Sequence, residues 1–255
     1  MNLRTVKVLR YVTPLREGGS LPAIIEGDDK KLYVLKFRGA GQGVKALIAE
    51  IIAGEIARIL GLRIPEIVFA ELDTDLAKTE PDPEIQDLIK FSGGLNLAME
   101  YLSGSITYDP MIAEPEGKLA SEIVWLDALT ANVDRTPRNA NILFWENNLW
   151  LIDHGAAFYF HHNWEKFLEN SANPFRLIKD HILLRFADKI GETDELLSQK
   201  LTSEILAGIV GLIPDEWLEN PAEQRKVYLE FLTKRMEMRH EFVKEAIDAR
   251  KSLHI

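Results

Sequence analysis

The amino-acid sequence predicts an α+β fold, in which a β-rich first third with one main helix is followed by a mostly helical body. Residues 4–12 and 31–37 alternate with a period of two and are rich in β-branched and aromatic side chains, as strands are. From 44 to 62 the apolar residues recur at helical spacing, and Gly61 stands where a C-cap glycine is expected. Helical patterns dominate from Pro174 onward.

The β-rich part contains a hairpin and two later strands. Gly27-Asp28-Asp29 separates two alternating segments and is typical of a hairpin turn. Strands are predicted at 67–72 and 95–102, and the acidic, proline-containing segment 76–88 between them predicts a loop with a short helix. The last strand ends at Ser103, where we place the boundary between two parts, residues 1–102 and 103–255.

The second part is predicted to be mainly helical, with one hairpin. Residues 118–132 form an amphipathic helix, and 141–152 hold two short strands around a turn at Glu146-Asn147-Asn148. The chain closes with a long charged helix at 221–252.

Composition excludes several classes of function. The net charge is −10, from 40 acidic and 30 basic residues, without the basic stripe of a protein that neutralises many phosphates. We therefore expect neither a nucleic acid nor a membrane as partner. Cysteine is absent, which excludes disulfides and thiolate metal sites. The first residues lack the apolar core of a signal peptide, and the apolar run 205–213 is too short to span a bilayer, so a cytoplasmic protein is expected.

The segment 132–157 carries the groups that phosphoryl transfer needs. Asp134 and Asn139 lie five residues apart directly after a helix, and Asp153 follows an apolar strand. One carboxylate must accept the proton of the attacking hydroxyl, a second must hold magnesium against the phosphates, and an amide oxygen completes the metal shell. Asp134, Asp153 and Asn139 fit these roles in that order. Each motif alone is also compatible with a helix cap, an ion pair or a turn, and it is their joint spacing that favours chemistry.

This segment resembles the catalytic and metal-binding loops of HipA-like serine/threonine kinases, and more distantly those of phosphoinositide kinases. The shared pattern is Asp-Arg, an Asn five residues after the Asp, and Ile-Asp-x-Gly. Residues 33–39 (YVLKFRG) resemble the family's lysine strand, and 49–66 resemble its first helix. The resemblance implies a bilobal protein-kinase-like fold, with an N-lobe of 1–102 and a C-lobe of 103–255.

The resemblance also implies roles for residues of the first part. Lys36 is expected to bind the α- and β-phosphates of ATP, and Glu50 to pair with it, although Glu55 could compete for this role. Without the resemblance, an outward-facing lysine on an amphipathic strand is the favoured interpretation of Lys36; with it, the role in phosphate binding is favoured. Gly18-Gly19-Ser20 corresponds to the nucleotide-covering loop, and Gly39–Gly43 could also approach phosphate, although both can be simple turns.

The strand before Ser103 is expected to present adenine with the backbone of Glu100, Tyr101 and Leu102, unless it is an ordinary core strand. The implied activity is ATP- and Mg²⁺-dependent transfer of the γ-phosphoryl group to a hydroxyl of an unidentified protein or small-molecule acceptor, with protein Ser/Thr favoured. A nucleotide-binding pseudokinase that serves as an interaction module and a small-molecule or lipid kinase are the alternatives. Thr136 departs from the family pattern, because many relatives have His after the Asp-Arg pair. Substrate and antitoxin recognition are not carried over.

Overall fold

The computed structural model describes residues 1–15, 21–41 and 43–253. The chain has the predicted α+β character and divides into two compact units. The first comprises Met1–Ile48 and Pro65–Gly104, and the second comprises Ala49–Ile64 and Ser105–Ile255. The segment 49–64, which the predicted two-part division assigned to the N-terminal part, thus belongs to the second unit.

The first unit contains a closed barrel of five strands in the order β1-β2-β3-β5-β4. The strands are β1 Thr5–Pro14, β2 Ala23–Gly27, β3 Leu32–Lys36, β4 Ile67–Leu72 and β5 Gly94–Glu100. The sequence predicted a sheet but not its closure. β1 makes the closure, since it pairs antiparallel with β2 and parallel with β4. Its pairing with β2 shifts register twice, between Val8 and Arg10 and between Tyr11 and Thr13, and such bulges bend and twist a strand.

The barrel core follows from the two-residue alternation of its strands. On β2 and β3, Ala23, Ile25, Tyr33 and Leu35 are fully buried, while the residues between them lie on the other face. The predicted hairpin turn is confirmed, because the N–H of Gly27 donates to Lys31 O at 3.0 Å. The alternation therefore fixes which side chains of β3 enter the core.

Helix α2 (Pro83–Phe91) covers part of this core with Ile85 and Ile89. Asp82 caps the helix, accepting the N–H of Glu84, and the proline stands at the first helical position, where its missing N–H costs nothing. A 3₁₀ turn, Thr74–Thr79, precedes it. The prediction of a loop with a short helix between the two strands is thus confirmed.

The second unit is helical apart from a small three-stranded sheet, β6-β7-β8. Its elements are the later part of α1 (Val44–Leu60), β6 Ile106–Thr107, α3 Gly117–Thr130, β7 Ile142–Trp145, β8 Asn148–Leu151, α4 Phe167–Ser171, α5 Ile190–Ser198, α6 Ser203–Val210, α7 Pro221–Glu237 and α8 Arg239–Lys251. Glu146 and Asn147 both have positive φ at the turn between β7 and β8, the geometry that joins two tightly paired strands. The predicted hairpin is confirmed, whereas β6 was not predicted.

Two features of the helices differ from the sequence prediction. The second half of α3 is buried on every side, from Ile123 to Thr130, although an amphipathic helix was predicted. The single charged helix at 221–252 is two helices, because Met238 leaves the helical conformation. The apolar spacing continues across Met238 without proline or glycine, so no local signal marked this break. Across the described residues, no helix is both long and apolar enough to cross a membrane.

Candidate active site

The loop after α3 brings Asn139 back to Asp134. Thr136 and Asn139 exchange backbone hydrogen bonds of 2.9 and 3.1 Å, with Pro137 and Arg138 at the tip of the turn. This turn allows the side-chain amide of Asn139 to donate to Asp134 Oδ2 at 2.8 Å. Two of the three predicted chemical groups are therefore in direct contact, through a turn that the five-residue spacing made possible.

A second amide, from Asn141, supports the same aspartate. Its Nδ2 donates to the carbonyl of Asp134 at 3.1 Å and lies 3.4 Å from Asp134 Oδ2. Asn141 has a φ of 47°, in the left-handed region that asparagine tolerates better than most residues. The motif pattern did not single out Asn141. The available signal was its type, since asparagine is the usual non-glycine residue at such a position.

Asp153 occupies a left-handed backbone conformation, with a φ of 52°. The residues on either side hold it there. The N–H of Ile152 donates to Asn141 O at 3.0 Å, and the N–H of His154 donates to Glu50 Oε2 at 2.9 Å. The cost of a left-handed L-residue, about 1–2 kcal/mol, is thus offset by two well-made hydrogen bonds. The first of these bonds joins the loop of Asp153 directly to the loop of Asp134.

The buried carboxylate of Glu50 contacts His154 twice. Besides the backbone contact, Oε1 lies 3.2 Å from His154 Nδ1, and both side chains are fully buried. A carboxylate only accepts, so Nδ1 carries the hydrogen. Glu55, which the sequence left open as an alternative to Glu50, receives a hydrogen bond from Arg58 at 3.1 Å. No pattern in the sequence indicated that Glu50 contacts His154, the residue that follows Asp153.

A buried arginine bridges the two loops. Arg135 is 1% exposed, and its Nη1 donates to the carbonyl of Asn141 and, at 3.3 Å, to that of Ile152. Its Nε donates to Asp127 Oδ2 at 2.5 Å. The arginine of the Asp-Arg pair is therefore an internal cross-link between the loops rather than a surface group.

Asp127 lies in the last turn of α3, where the helix dipole disfavours a carboxylate. Burial raises the pKa of its carboxyl, but the charge of Arg135 and the hydrogen bond from His181 lower it further, so the net pKa is well below the ordinary value. Asn132 adds a third donor, its Nδ2 lying 3.0 Å from Asp127 Oδ1. Asp127 is therefore ionised at neutral pH and fully surrounded by donors.

His181 is held as a neutral tautomer. Its Nδ1 accepts the N–H of Leu183 at 3.0 Å, so Nε2 carries the hydrogen and donates to Asp127 Oδ2 at 2.9 Å. Burial lowers the pKa of His181 more than the neighbouring Asp127 raises it. The folded protein therefore binds this proton less readily than the unfolded chain, whose histidines titrate near 6.5.

We expect the free energy of unfolding to fall as the pH drops below about 6.5, because His181 then binds a proton in the unfolded chain but not in the folded protein. One such group changes the free energy of unfolding by at most about 1.4 kcal/mol per pH unit. His181→Gln keeps a donor at the Nε2 position and removes the titration. Urea unfolding between pH 5 and 7.5 should therefore give a shallower pH dependence for the variant. Equal slopes of the free energy of unfolding against pH for the two proteins would show that folding does not lower the pKa of His181.

The first unit holds the other predicted residues. Lys36 is half-buried and alternates with Tyr33 and Leu35, so it lies on the face of β3 opposite the barrel core. The N–H of Glu100 donates to Glu66 O and that of Tyr101 to Leu32 O, both at 2.9 Å.

Among the glycine-rich candidates, Gly18, Gly19 and Ser20 lie outside the described residues. In the second stretch, Gly41 and Gly43 have φ values of 46° and 63°. These are conformations that glycine adopts without strain, immediately before α1.

Carboxylate and amide oxygens are suitable ligands for a hard divalent cation. Asp153 has a carboxylate and Asn139 has an amide oxygen, and the Ile152–Asn141 hydrogen bond joins the two loops that carry them. Within the described residues, no group of three or more histidine or acidic side chains is placed so that it could hold a metal ion. This donor set fits a cation that takes the rest of its shell from phosphate oxygens and water, as magnesium does in nucleotide sites.

Comparison with known proteins identifies the class. A family model described as HipA-like kinase matches residues 8–245. The chain belongs to the HipA-like kinase family. A search of curated proteins found none that matches it.

Three solved structures that resemble the chain are structures of kinases. CtkA, a proinflammatory kinase of Helicobacter pylori, is 12% identical with a TM-score of 0.56, covering 98% of this chain and 99% of that one. The Golgi casein kinase is 14% identical with a TM-score of 0.51, covering 96% and 72%. A second structure of it, with Mn/ADP bound, is 14% identical with a TM-score of 0.52, covering 98% and 74%. With identities this low, the TM-scores and the coverage show a shared fold and nothing further.

Proposed function

We propose that this protein is a bilobal kinase that transfers the γ-phosphoryl group of Mg²⁺-bound ATP to a hydroxyl, with protein serine or threonine as the favoured acceptor. One observation carries the proposal. The loop of Asp134 and the loop of Asp153 are cross-linked by the Ile152–Asn141 hydrogen bond and by the buried guanidinium of Arg135. A candidate base and a candidate metal ligand are thereby held on one support, as positioning-based phosphoryl transfer requires.

Asp134 is the proposed base. Its Oδ2 accepts from the amide of Asn139, which leaves Oδ1 as the proposed acceptor of the proton from the attacking hydroxyl. Two asparagine side chains hold the group, so it needs little reorganisation when the acceptor binds. This arrangement supports a role in chemistry more than a role in nucleotide affinity.

Asp153 and Asn139 are the proposed ligands of the magnesium ion. The amide nitrogen of Asn139 donates to Asp134, so its amide oxygen is the atom available for a cation. The bound ion would neutralise the phosphate oxygens during transfer. Glu50 supports Asp153 from the other side by fixing His154.

For the nucleotide, we propose that Lys36 contacts the α- and β-phosphates, with Gly18-Gly19-Ser20 covering them and Glu50 orienting the lysine. The amides of Glu100 and Tyr101 already donate within the barrel, so that of Leu102 is our candidate donor to adenine. The carbonyls of this segment remain candidate acceptors for the adenine amino group. The Golgi casein kinase structure with Mn/ADP supports nucleotide and divalent-metal use by this fold.

A pseudokinase would keep this fold and lose the chemistry, whereas all three residues of the base and metal set are present here and two of them are in contact. A small-molecule kinase would share the same groups. Dephosphorylated casein is a reasonable first protein acceptor, since a casein kinase is among the structural neighbours.

Saturating Mg-ATP should raise the unfolding temperature, and at a hundred times the dissociation constant the ligand adds about 2.7 kcal/mol to the free energy of unfolding. ATP with EDTA should give a much smaller shift, because the carboxylate of Asp153 then faces the phosphates without a cation. Thermal unfolding in the two conditions measures the difference.

Mg²⁺ alone and Mg²⁺ with phosphate are the controls for a non-specific salt effect. A melting curve that saturating Mg-ATP leaves unchanged would rule out both the kinase and the nucleotide-binding pseudokinase. A shift without ADP formation, with or without casein, would favour the pseudokinase.

A further inference from the structure

Asp127 has no place in the chemistry proposed above, yet hydrogen bonds link it to the loop of Asp134 directly and to the loop of Asp153 through Arg135. It is fully buried, and its two carboxylate oxygens receive hydrogen bonds from three residues, two in the loop after α3 and one at position 181. A buried carboxylate costs free energy unless every lone pair finds a partner. Its presence at the end of α3 therefore calls for an explanation beyond packing.

One set of contacts leads from Asp127 to the proposed base. Oδ1 accepts Asn132 Nδ2 at 3.0 Å, and the Oδ1 of the same asparagine accepts the backbone N–H of Asp134 at 3.2 Å. Asn132 is 3% exposed, and its hydrogen bond to Asp127 is buried. The position of the Asp134 backbone is thus fixed by an amide whose orientation Asp127 sets.

A second set leads to the proposed metal ligand. Oδ2 accepts Nε of Arg135 at 2.5 Å, and Nη1 of that guanidinium reaches the carbonyls of Asn141 and Ile152. The planar guanidinium can reach both carbonyls only while its Nε edge stays fixed against the carboxylate. Ile152 directly precedes Asp153, so this second set of contacts ends one residue before the proposed magnesium ligand.

We propose that Asp127 is a positioning residue for phosphoryl transfer. It aligns the loop of Asp134 through Asn132 and the loop of Asp153 through Arg135. The inference rests on the proposed function. An amide at this position tests it, since Asp127→Asn keeps the volume but offers an acceptor on one side only and turns an N–H toward a donor on the other.

We expect Asp127→Asn to lower the turnover of folded protein by about ten- to a hundredfold, since misplacing groups by an ångström costs that much. It should also raise the Mg²⁺ concentration for half-maximal ADP formation. Hydrogen exchange at the amides of Asp134 and Ile152 should become faster than the rate that global unfolding alone would give. This measurement does not depend on activity.

Asp194→Asn is the matched control. That carboxylate also accepts from an arginine and a neutral N–H, Arg239 at 3.1 Å and Trp125 at 2.8 Å, but it contacts neither loop. It should lose stability while folded protein keeps the wild-type turnover and Mg²⁺ requirement. If Asp127→Asn behaves in the same way, Asp127 is a structural residue and the proposal is wrong.

Asn132→Ala provides the test if Asp127→Asn does not fold. It breaks only the first set of contacts, so exchange at Asp134 should accelerate and turnover should fall while Ile152 stays protected. Wild-type exchange and turnover in this variant would overturn the proposal. Wild-type protein that forms no ADP would overturn the proposed function together with this inference, whereas active wild type with an indifferent Asp127→Asn overturns the inference alone.

Discussion

Asp134→Asn is expected to lower kcat by roughly 10²–10⁴-fold, the contribution typical of a general base, while Mg-ATP still stabilises the variant. The amide oxygen of asparagine can accept the same hydrogen bonds from Asn139 and Asn141, so the loop keeps its shape. Asp153→Asn is expected to lose both turnover and Mg-ATP stabilisation, because a neutral amide binds magnesium weakly. Asparagine also tolerates the left-handed backbone at Asp153, so the change is chemical rather than conformational.

ADP formation and thermal unfolding with Mg-ATP, measured on the same samples, separate the two phenotypes. Asp248→Asn is the control, a surface aspartate on α8 whose nearest cation, Lys251, is 3.7 Å away. Turnover like that of wild type in both site variants would remove both assigned roles. An exchange of the two phenotypes would show that base and metal ligand are reversed.

The largest effect on stability is expected from Arg235, an arginine buried on α7. It donates to four backbone carbonyls, those of Ala128 at 2.6 Å, Leu129 at 2.9 Å, Ser171 at 3.1 Å and Asn173 at 2.5 Å. Burial lowers its pKa to about 10, so it remains charged at neutral pH. The four carbonyls take the place of the water that the guanidinium has lost.

Arg235→Met keeps most of the volume and leaves these carbonyls without a donor. Each unsatisfied buried group costs about 1–3 kcal/mol, and relaxation recovers part of this, so we expect a loss of about 3–5 kcal/mol in the free energy of unfolding. Urea unfolding measures it. Arg239→Met, which breaks a half-exposed ion pair with Asp194, should cost at most about 1 kcal/mol. Similar losses in the two variants would contradict the role of Arg235.

The parts of the candidate site that the sequence predicted are those coded locally. Asp134, Asn139 and Asp153 fall within twenty residues, and a turn and a hairpin account for their spacing. The contact between Asn139 and Asp134 needed only these short-range elements. The strand alternation that placed Tyr33 and Leu35 in a core is local in the same sense.

What the sequence could not predict depends on contacts between distant segments. His181 reaches Asp127 across 54 residues, and Glu50 reaches His154 across 104. A buried aspartate on a helix looks like any other helical aspartate until its partners are known. The closure of the barrel by the pairing of β1 with β4 is also a contact between distant segments. The residue pattern of neither strand indicates which strand it pairs with.

The origin of the second unit in two separate segments restricts how this chain can be cut. A fragment beginning at Ser105 lacks residues 49–64, which supply the carboxylate that receives the buried N–H of His154. The same segment supplies the carbonyls of Arg63 and Leu60, which accept from the backbone N–H of Leu151 at 2.8 Å and from Lys200 Nζ at 2.7 Å. Contacts this remote in sequence slow folding, because a long loop must close before they form. During synthesis, the later part of α1 therefore leaves the ribosome well before most of the unit that it joins.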